Sequence, residues 1–299
     1  MTWSLIQRAI FLFLIGLGFG GNFFLFVKHV HMVAMGPEGK PTDIILIHLA
    51  LSNIVILCAS IMSGTSLAFL LSNFLGNIIC KTVVYLNRVA RSLSICTTCL
   101  LSVVQALTLS PRNTLWRKLK PRTAWQVLPY LLTFWVFSFL ISSNLLHYIT
   151  AVNSTDESRF RTYIGLCYML PAPQIIRWLF LCLMTLRDLT FQSLMGWSSG
   201  YMALYLYKHH RRVLYLQSSR FAKYPSPEIR ATWSILILMA CFLLFYWADF
   251  IFSFYLGSIC IEAFSFSNIQ MFLGLGYASL SPFVLISRDS NLVNCWFIH

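Results

Sequence analysis

The chain has 299 residues, of which 58% are hydrophobic and only 10% charged, and its net charge is +13. Soluble domains carry about 25% charged residues, so a chain this apolar lacks the polar surface to cover a water-facing core. Nucleic-acid binding is excluded as well: the basic residues do not form one patch but fall in short loops between apolar stretches, where the positive-inside rule places them.

A spanning helix needs about 20 mostly apolar residues. The sequence predicts seven, at residues 5–27, 43–67, 77–107, 125–149, 175–207, 231–256 and 261–286, in one domain covering 1–299. The first is longer than a signal peptide's apolar stretch and is followed by a basic loop, so it is read as retained. The loops alternate in charge. Lys28 and Lys40 follow segment one. Arg112, Arg117, Lys118, Lys120 and Arg122 follow segment three. Lys208, Arg211, Arg212, Arg220, Lys223 and Arg230 follow segment five. These three loops are expected on the cytoplasmic side. The sequon Asn153-Ser154-Thr155 falls on the opposite side, where Asn153 can be glycosylated. The expected topology is a multi-pass plasma-membrane protein with its N-terminus outside and its C-terminus in the cytoplasm.

Cys58, Cys96, Cys99, Cys182 and Cys241 lie inside apolar segments and read as packing residues. Cys80 opens segment three on the outer side, and Cys167 lies in the large outer loop, where the compartment is oxidising. The two can form a disulfide, with Cys260 a rival partner. Cys295, on the inner side, reads as a palmitoylation site or a free thiol.

Charged residues inside apolar segments mark candidate functional positions, since each costs about 2.5–3.5 kcal/mol at the bilayer centre. Arg88 and Arg91 lie ~12 and ~16 Å below Cys80, Asp188 lies ~16 Å below the outer end of segment five, and Asp249 ~11 Å below that of segment six, at 1.5 Å per residue. Tyr85, Arg88, Arg91 and Ser92 share one helical stripe. Asp188, Gln192 and Met195 form a second, and Tyr246, Asp249 and Ser253 a third. Converging stripes would line a polar pocket in the outer half. Two readings follow: an Arg–Asp network that holds the helices together, or a ligand site. Arg88, Arg91 and Arg187 outnumber the two deep carboxylates, which would favour acidic or sulfated small molecules.

Short motifs carry a family resemblance. Segment three reads Arg88-Val89-Ala90-Arg91, then Ser94-Ile95-Cys96-Thr97-Thr98-Cys99, then Ser110-Pro111. Segment five reads Leu186-Arg187-Asp188 and Ser199-Gly200-Tyr201-Met202. Pro227-Glu228-Ile229-Arg230-Ala231-Thr232 precedes segment six, and segment seven contains Leu280-Ser281-Pro282-Phe283-Val284-Leu285. Together these resemble the vomeronasal type 1 receptors, the pheromone-receptor family of G-protein-coupled receptors, over almost the whole chain. The resemblance implies an all-α seven-helix bundle, a small chemosensory ligand, and coupling to a heterotrimeric G protein of the inhibitory (Gi/Go) class. Basic inner loops with Arg112, Arg211, Arg212 and Arg230 suit an acidic partner face. Gln105 stands where rhodopsin-like receptors keep the Arg of Asp-Arg-Tyr. Asn53 stands where most of them keep a sodium-binding Asp, and segment seven has Ser-Pro-Phe-Val-Leu in place of Asn-Pro-x-x-Tyr. The usual activation switches therefore cannot operate in their usual form.

A retinal protein needs a lysine in segment seven, and none lies between Ile261 and Ile286. No paired repeats or broken helices point to a transporter. No catalytic constellation, metal-ligand cluster or cofactor motif is visible, so the chain is read as no enzyme, with no cofactor and no metal. A bitter-taste-like receptor and a non-signalling scaffold or trafficking protein remain as alternative functions.

Overall fold

In a computed structural model of the chain, the residues described are 2–35, 40–64, 73–109, 120–121, 123–143, 145–151, 163–164, 167–169, 173–216, 236–237, 239–248, 251 and 264–287. They contain the helices α1 (Thr2–Met35), α2 (Pro41–Gly64), α3 (Asn73–Leu109), α4 (Leu128–Ser142), α5 (Gln174–Leu216), α6 (Met239–Ala248) and α7 (Phe264–Ser287). Helical turns at Ala124–Gln126 and Leu145–Tyr148 flank α4. The strands β1 (Ile149–Ala151), β2 (Tyr163–Ile164) and β3 (Cys167–Met169) form an antiparallel sheet in the order β1-β3-β2, with Ala151 opposite Cys167. In the fourth segment α4 ends at Ser142, a further helical turn covers Leu145–Tyr148, and Ile149 already belongs to the sheet. Periodicity cannot distinguish a short strand from the end of an apolar helix.

Among the described residues, three stretches are long and apolar enough to cross a bilayer: Ala9–Met35, Pro41–Met62 and Asn77–Leu109. α5 has 43 residues but is not one of them. Arg187, Asp188 and Gln192 lie in its upper half, and Lys208 and Arg211 in its last turns. The helices turn large apolar side chains outward, as lipid allows and water does not. Phe13, Phe23 and Phe24 of α1 are exposed, as are Trp178, Leu186, Trp197 and Leu204 of α5.

α3 is the hub. From Ser92 to Cys99 every residue is buried, whichever way it points. A helix covered on all sides needs small residues so that its neighbours can approach. Serine, threonine and cysteine supply them, and the hydroxyls find acceptors on the helix itself: Thr97 donates to the Leu93 carbonyl at 2.6 Å and Thr98 to that of Ser94 at 2.7 Å. In lipid such internal satisfaction is obligatory.

A neutral polar clasp joins α1, α2, α3 and α7. Asn53 donates to Asn22 Oδ1 at 3.1 Å and to Ser281 Oγ at 3.0 Å, and its own Oδ1 accepts from Ser94 at 3.2 Å. Asn22 donates to the carbonyls of Gly18 and Ala278, both at 2.8 Å. The second of these has a cause in the sequence. Pro282 lies inside α7 and has no N–H, so the carbonyl four residues earlier, that of Ala278, loses its helical donor. Asn22 replaces it. Close approach of α1 to α7 requires glycine at two positions. A Cβ on Gly18 would lie 2.8 Å from Ser279 Cα, and one on Gly21 would lie 2.9 Å from the Pro282 ring. Elsewhere α1 and α2 meet at His29 and Asp43, 3.1 Å apart, and Trp135 of α4 donates to His48 of α2 at 3.3 Å.

Candidate ligand site and family

α3, α4 and α5 meet around a second polar cluster, which is charged. The hydroxyls of Ser92 and Ser138 lie 2.7 Å apart. Arg187 donates through Nη1 to Ser92 Oγ and through Nε to Asp188 Oδ1, each at 2.8 Å, and its Nη2 forms an ion pair with the same oxygen at 2.8 Å. Neighbours in sequence do not normally face each other on a helix. Here the guanidinium folds back along α5, so the ion pair stays within one helix and the link between helices is Arg187 to Ser92. The Arg187 side chain is 6% exposed and that of Asp188 26%. Gln192, one turn further along α5, is buried.

The other two arginines diverge. Arg88 donates through Nη2 to Met184 Sδ of α5, a weak acceptor. Arg91 turns toward α6 and α7. Its Cζ stands 5.7 Å from the centroid of the Tyr246 ring, within cation–π range. A Cβ on Gly274 of α7 would come within 3.3 Å of its Nη1. Tyr246 stacks on Phe242 with centroids 4.2 Å apart, Phe242 meets Tyr277 edge-on at 4.7 Å, and the Tyr277 hydroxyl lies 2.9 Å from Thr98 Oγ1. This buried aromatic group forms the inner boundary of the Arg91 region.

Arg88, Ser92 and Asp188 are thus brought around α3 and α5, and Arg91 and Tyr246 are brought together beside α7. Tyr85 is not part of either group. Its hydroxyl donates to the Phe139 carbonyl at 3.2 Å and its ring stacks on Phe139, so it faces α4. Asp249 lies outside the described residues. Ser138, Met184, Thr98 and Tyr277 complete the site without having been singled out from the sequence. For Ser138 a signal existed, since it and Ser142 are one turn apart in the mostly apolar α4.

Cys80 is buried and disulfide-bonded near the start of α3. β1 packs against α3 and pairs with β3, which carries Cys167. At the other end of α3, Gln105 is buried and its carbonyl accepts from Thr108 at 2.7 Å. The hydroxyls of Ser102 and Ser198 hydrogen-bond, tying α3 to α5 nearby. Arg211 is exposed, 5.8 Å over the Tyr207 ring. Arg212 lies on the same helix, and Asn153, Arg112 and Arg230 lie outside the described residues.

Apolar helices with outward-facing aromatics, packed around a third helix that is buried on all sides from Ser92 to Cys99 and carries charged residues along its length, define a multi-pass membrane protein of the G-protein-coupled receptor type. Residues 5–298 match the family model of the vomeronasal organ pheromone receptor family, and the chain belongs to that family. It is 34% identical to vomeronasal type-1 receptor 100 of Rattus norvegicus over 280 residues, covering 94% of this chain and 85% of that receptor. It is 36% identical to vomeronasal type-1 receptor 54 of Mus musculus over 280 residues, covering 94% and 88%. With vomeronasal type-1 receptor 51 of Mus musculus it shares 34% identity over 288 residues, covering 96% and 90%. The chain is a receptor of this family and not an enzyme.

Proposed function

We propose that this chain is a plasma-membrane chemosensory receptor that binds a small pheromone-like molecule between α3, α5, α6 and α7 and activates a Gi/Go-class heterotrimeric G protein. One observation carries the ligand site. Three arginines, Arg88, Arg91 and Arg187, stand inside the apolar helices α3 and α5, and Asp188 pairs with Arg187. Charged residues inside a membrane bundle are costly, and they persist where they serve a task.

In this reading the whole chain is one seven-helix domain, residues 1–299, with its N-terminus outside. Cys80 pairs with Cys167, which the packing of β1 on α3 and the pairing of Ala151 with Cys167 support. Asn153 carries the glycan, and Gln105 with the basic ends of the inner loops (Arg112, Arg211, Arg212 and Arg230) faces the G protein. The test is a Gi/Go activation assay in cells expressing this chain, against a panel of volatile, steroidal and acidic compounds, with and without pertussis toxin. A toxin-sensitive response is expected. A surface-expressed receptor that couples only to another G-protein class, or to none across the panel, would overturn the reading. An epitope at the N-terminus stained on intact cells checks the orientation.

A further inference from the structure

Beside the ligand region the bundle has a cleft on its membrane face. It measures about 320 Å³ and is lined by Leu14 of α1, Phe245 of α6, and Phe272, Leu273, Gly276 and Leu280 of α7. Leu280 is 42% exposed, so the cleft opens on the outer surface of the bundle, where lipid stands. Its volume falls within that of small-molecule sites, about 300–1,000 Å³. The one polar residue on its wall is Ser279, and no charged side chain is among the described residues that line it. A dry apolar cavity of this kind accepts small neutral molecules and rejects ions.

The cleft and the ligand region lie at one depth, on two faces of the same helices. On α7, Phe272, Leu273, Gly276 and Leu280 line the cleft, while Gly274 meets Arg91 and Tyr277 belongs to the buried aromatic group. On α6, Phe245 lines the cleft, while Phe242 and Tyr246 belong to the aromatic group. The seam between the two helices at this level is the Phe245 ring lying on Gly276. A Cβ on Gly276 would collide with that ring, so only glycine lets it lie there. Phe245 is partly buried and packs against the same core cluster as Tyr246 and Tyr277. A rotamer change of this one ring would part the seam, where interlocked side chains would need several to move together.

We propose that the cleft is the port through which a neutral, apolar ligand passes from the bilayer into the site, and that Phe245 on Gly276 is its gate. An apolar small molecule leaves water for lipid before it meets the receptor, so it arrives at the membrane face. This rests on the ligand site proposed above and adds the route into it.

The test uses the full-length receptor in lipid nanodiscs and 3-phenyl-3-(trifluoromethyl)diazirine, a neutral apolar probe that enters bilayers and inserts into nearby bonds on photolysis. Light is flashed at set delays after mixing, and the labelled residues are mapped. In the wild type, labelling reaches Tyr246 and Tyr277 after it reaches Leu204, which is exposed on α5. Leu280→Trp fills the cleft from its exposed wall. It slows labelling of Tyr246 and Tyr277 about tenfold or more, with the same final level and no change at Leu204, because a route sets rates and not equilibria. Phe245→Ala removes the gate and speeds the same labelling. Should Leu280→Trp fail to fold, Leu14→Trp blocks the cleft from α1. An unchanged rate in either the blocked or the ungated receptor sinks this inference and leaves the ligand site standing. So does a lower final level in the blocked receptor, which would place the cleft in the site itself. If Leu204 is labelled and Tyr246 and Tyr277 never are, no apolar molecule reaches the aromatic group, and both readings fall.

Discussion

The bundle holds two polar clusters, and they are built on opposite terms. Around Asn53 everything is neutral, and each amide N–H of Asn22 and Asn53 has an acceptor on a neighbouring group. Around Arg187 the groups are charged, and positive charge exceeds negative among the described residues. Both clusters join helices that lipid alone would not hold together, since apolar contact with a neighbouring helix is no better than contact with a lipid tail. In the neutral cluster every amide N–H of the two asparagines finds an acceptor within the bundle, whereas the charged one is held by an ion pair within α5 and a hydrogen bond from Arg187 to α3.

The largest effect expected from breaking this contrast is on Arg187. Arg187→Ala strips Asp188 of its partner and Ser92 of a donor. It should lower stability by about 3 kcal/mol, the low end for a broken buried pair because Asp188 is partly exposed. Thermal unfolding of the purified receptor and its surface level would both fall, and an unchanged melting temperature would show that the pair is not structural. Next comes the neutral joint. Asn53→Leu removes three hydrogen bonds and should cost about 2 kcal/mol, given the modest worth of side-chain bonds between membrane helices. A melting temperature within error of the wild type would remove the clasp from the account. Gly21→Val forces α1 off the Pro282 ring and should cost about 1–2 kcal/mol as overpacking. If Gly21→Ala, which adds a single methyl, proves as harmful as valine, the close approach is confirmed as the cause. Tyr277→Phe deletes one bond to Thr98 and should cost about 0.6 kcal/mol. A larger loss would mean that the Tyr277 hydroxyl serves more than Thr98.

The fold class was legible because the bilayer imposes a length and an apolar composition on every spanning helix, and both are linear properties of a sequence. The site was legible in part. Arg88, Arg91 and Asp188 stand out in any hydrophobic stretch, since nothing but function or pairing keeps them there. Which neighbour each would meet was not legible. Arg88 and Arg91 share a stripe, yet three residues of helix turn by ~300°, so two long side chains already aim some 60° apart. Arg88 reaches α5, and Arg91 reaches α6 and α7. Tyr85 belongs to the same stripe by spacing but bonds to α4, because its reach of several ångströms matters more than its helical angle. Ser138 and Ser142 were overlooked because a serine in a membrane helix normally bonds its own backbone and carries no signal alone. The strands after α4 were missed as well, being too short for alternation to show.

The bond from Asn22 to the Ala278 carbonyl also bears on how the receptor is made. The ribosome delivers α1 first and α7 last. When α7 enters the membrane, its proline leaves one carbonyl without its helical donor in hydrocarbon, and in the folded bundle Asn22 of α1 supplies the replacement. The cover has been waiting since the first helix was inserted. The two ends of the chain therefore certify each other: a product stopped before α7, or one begun after Asn22, carries an unmet polar group into the bilayer. Retention in the endoplasmic reticulum would read that defect without any dedicated signal.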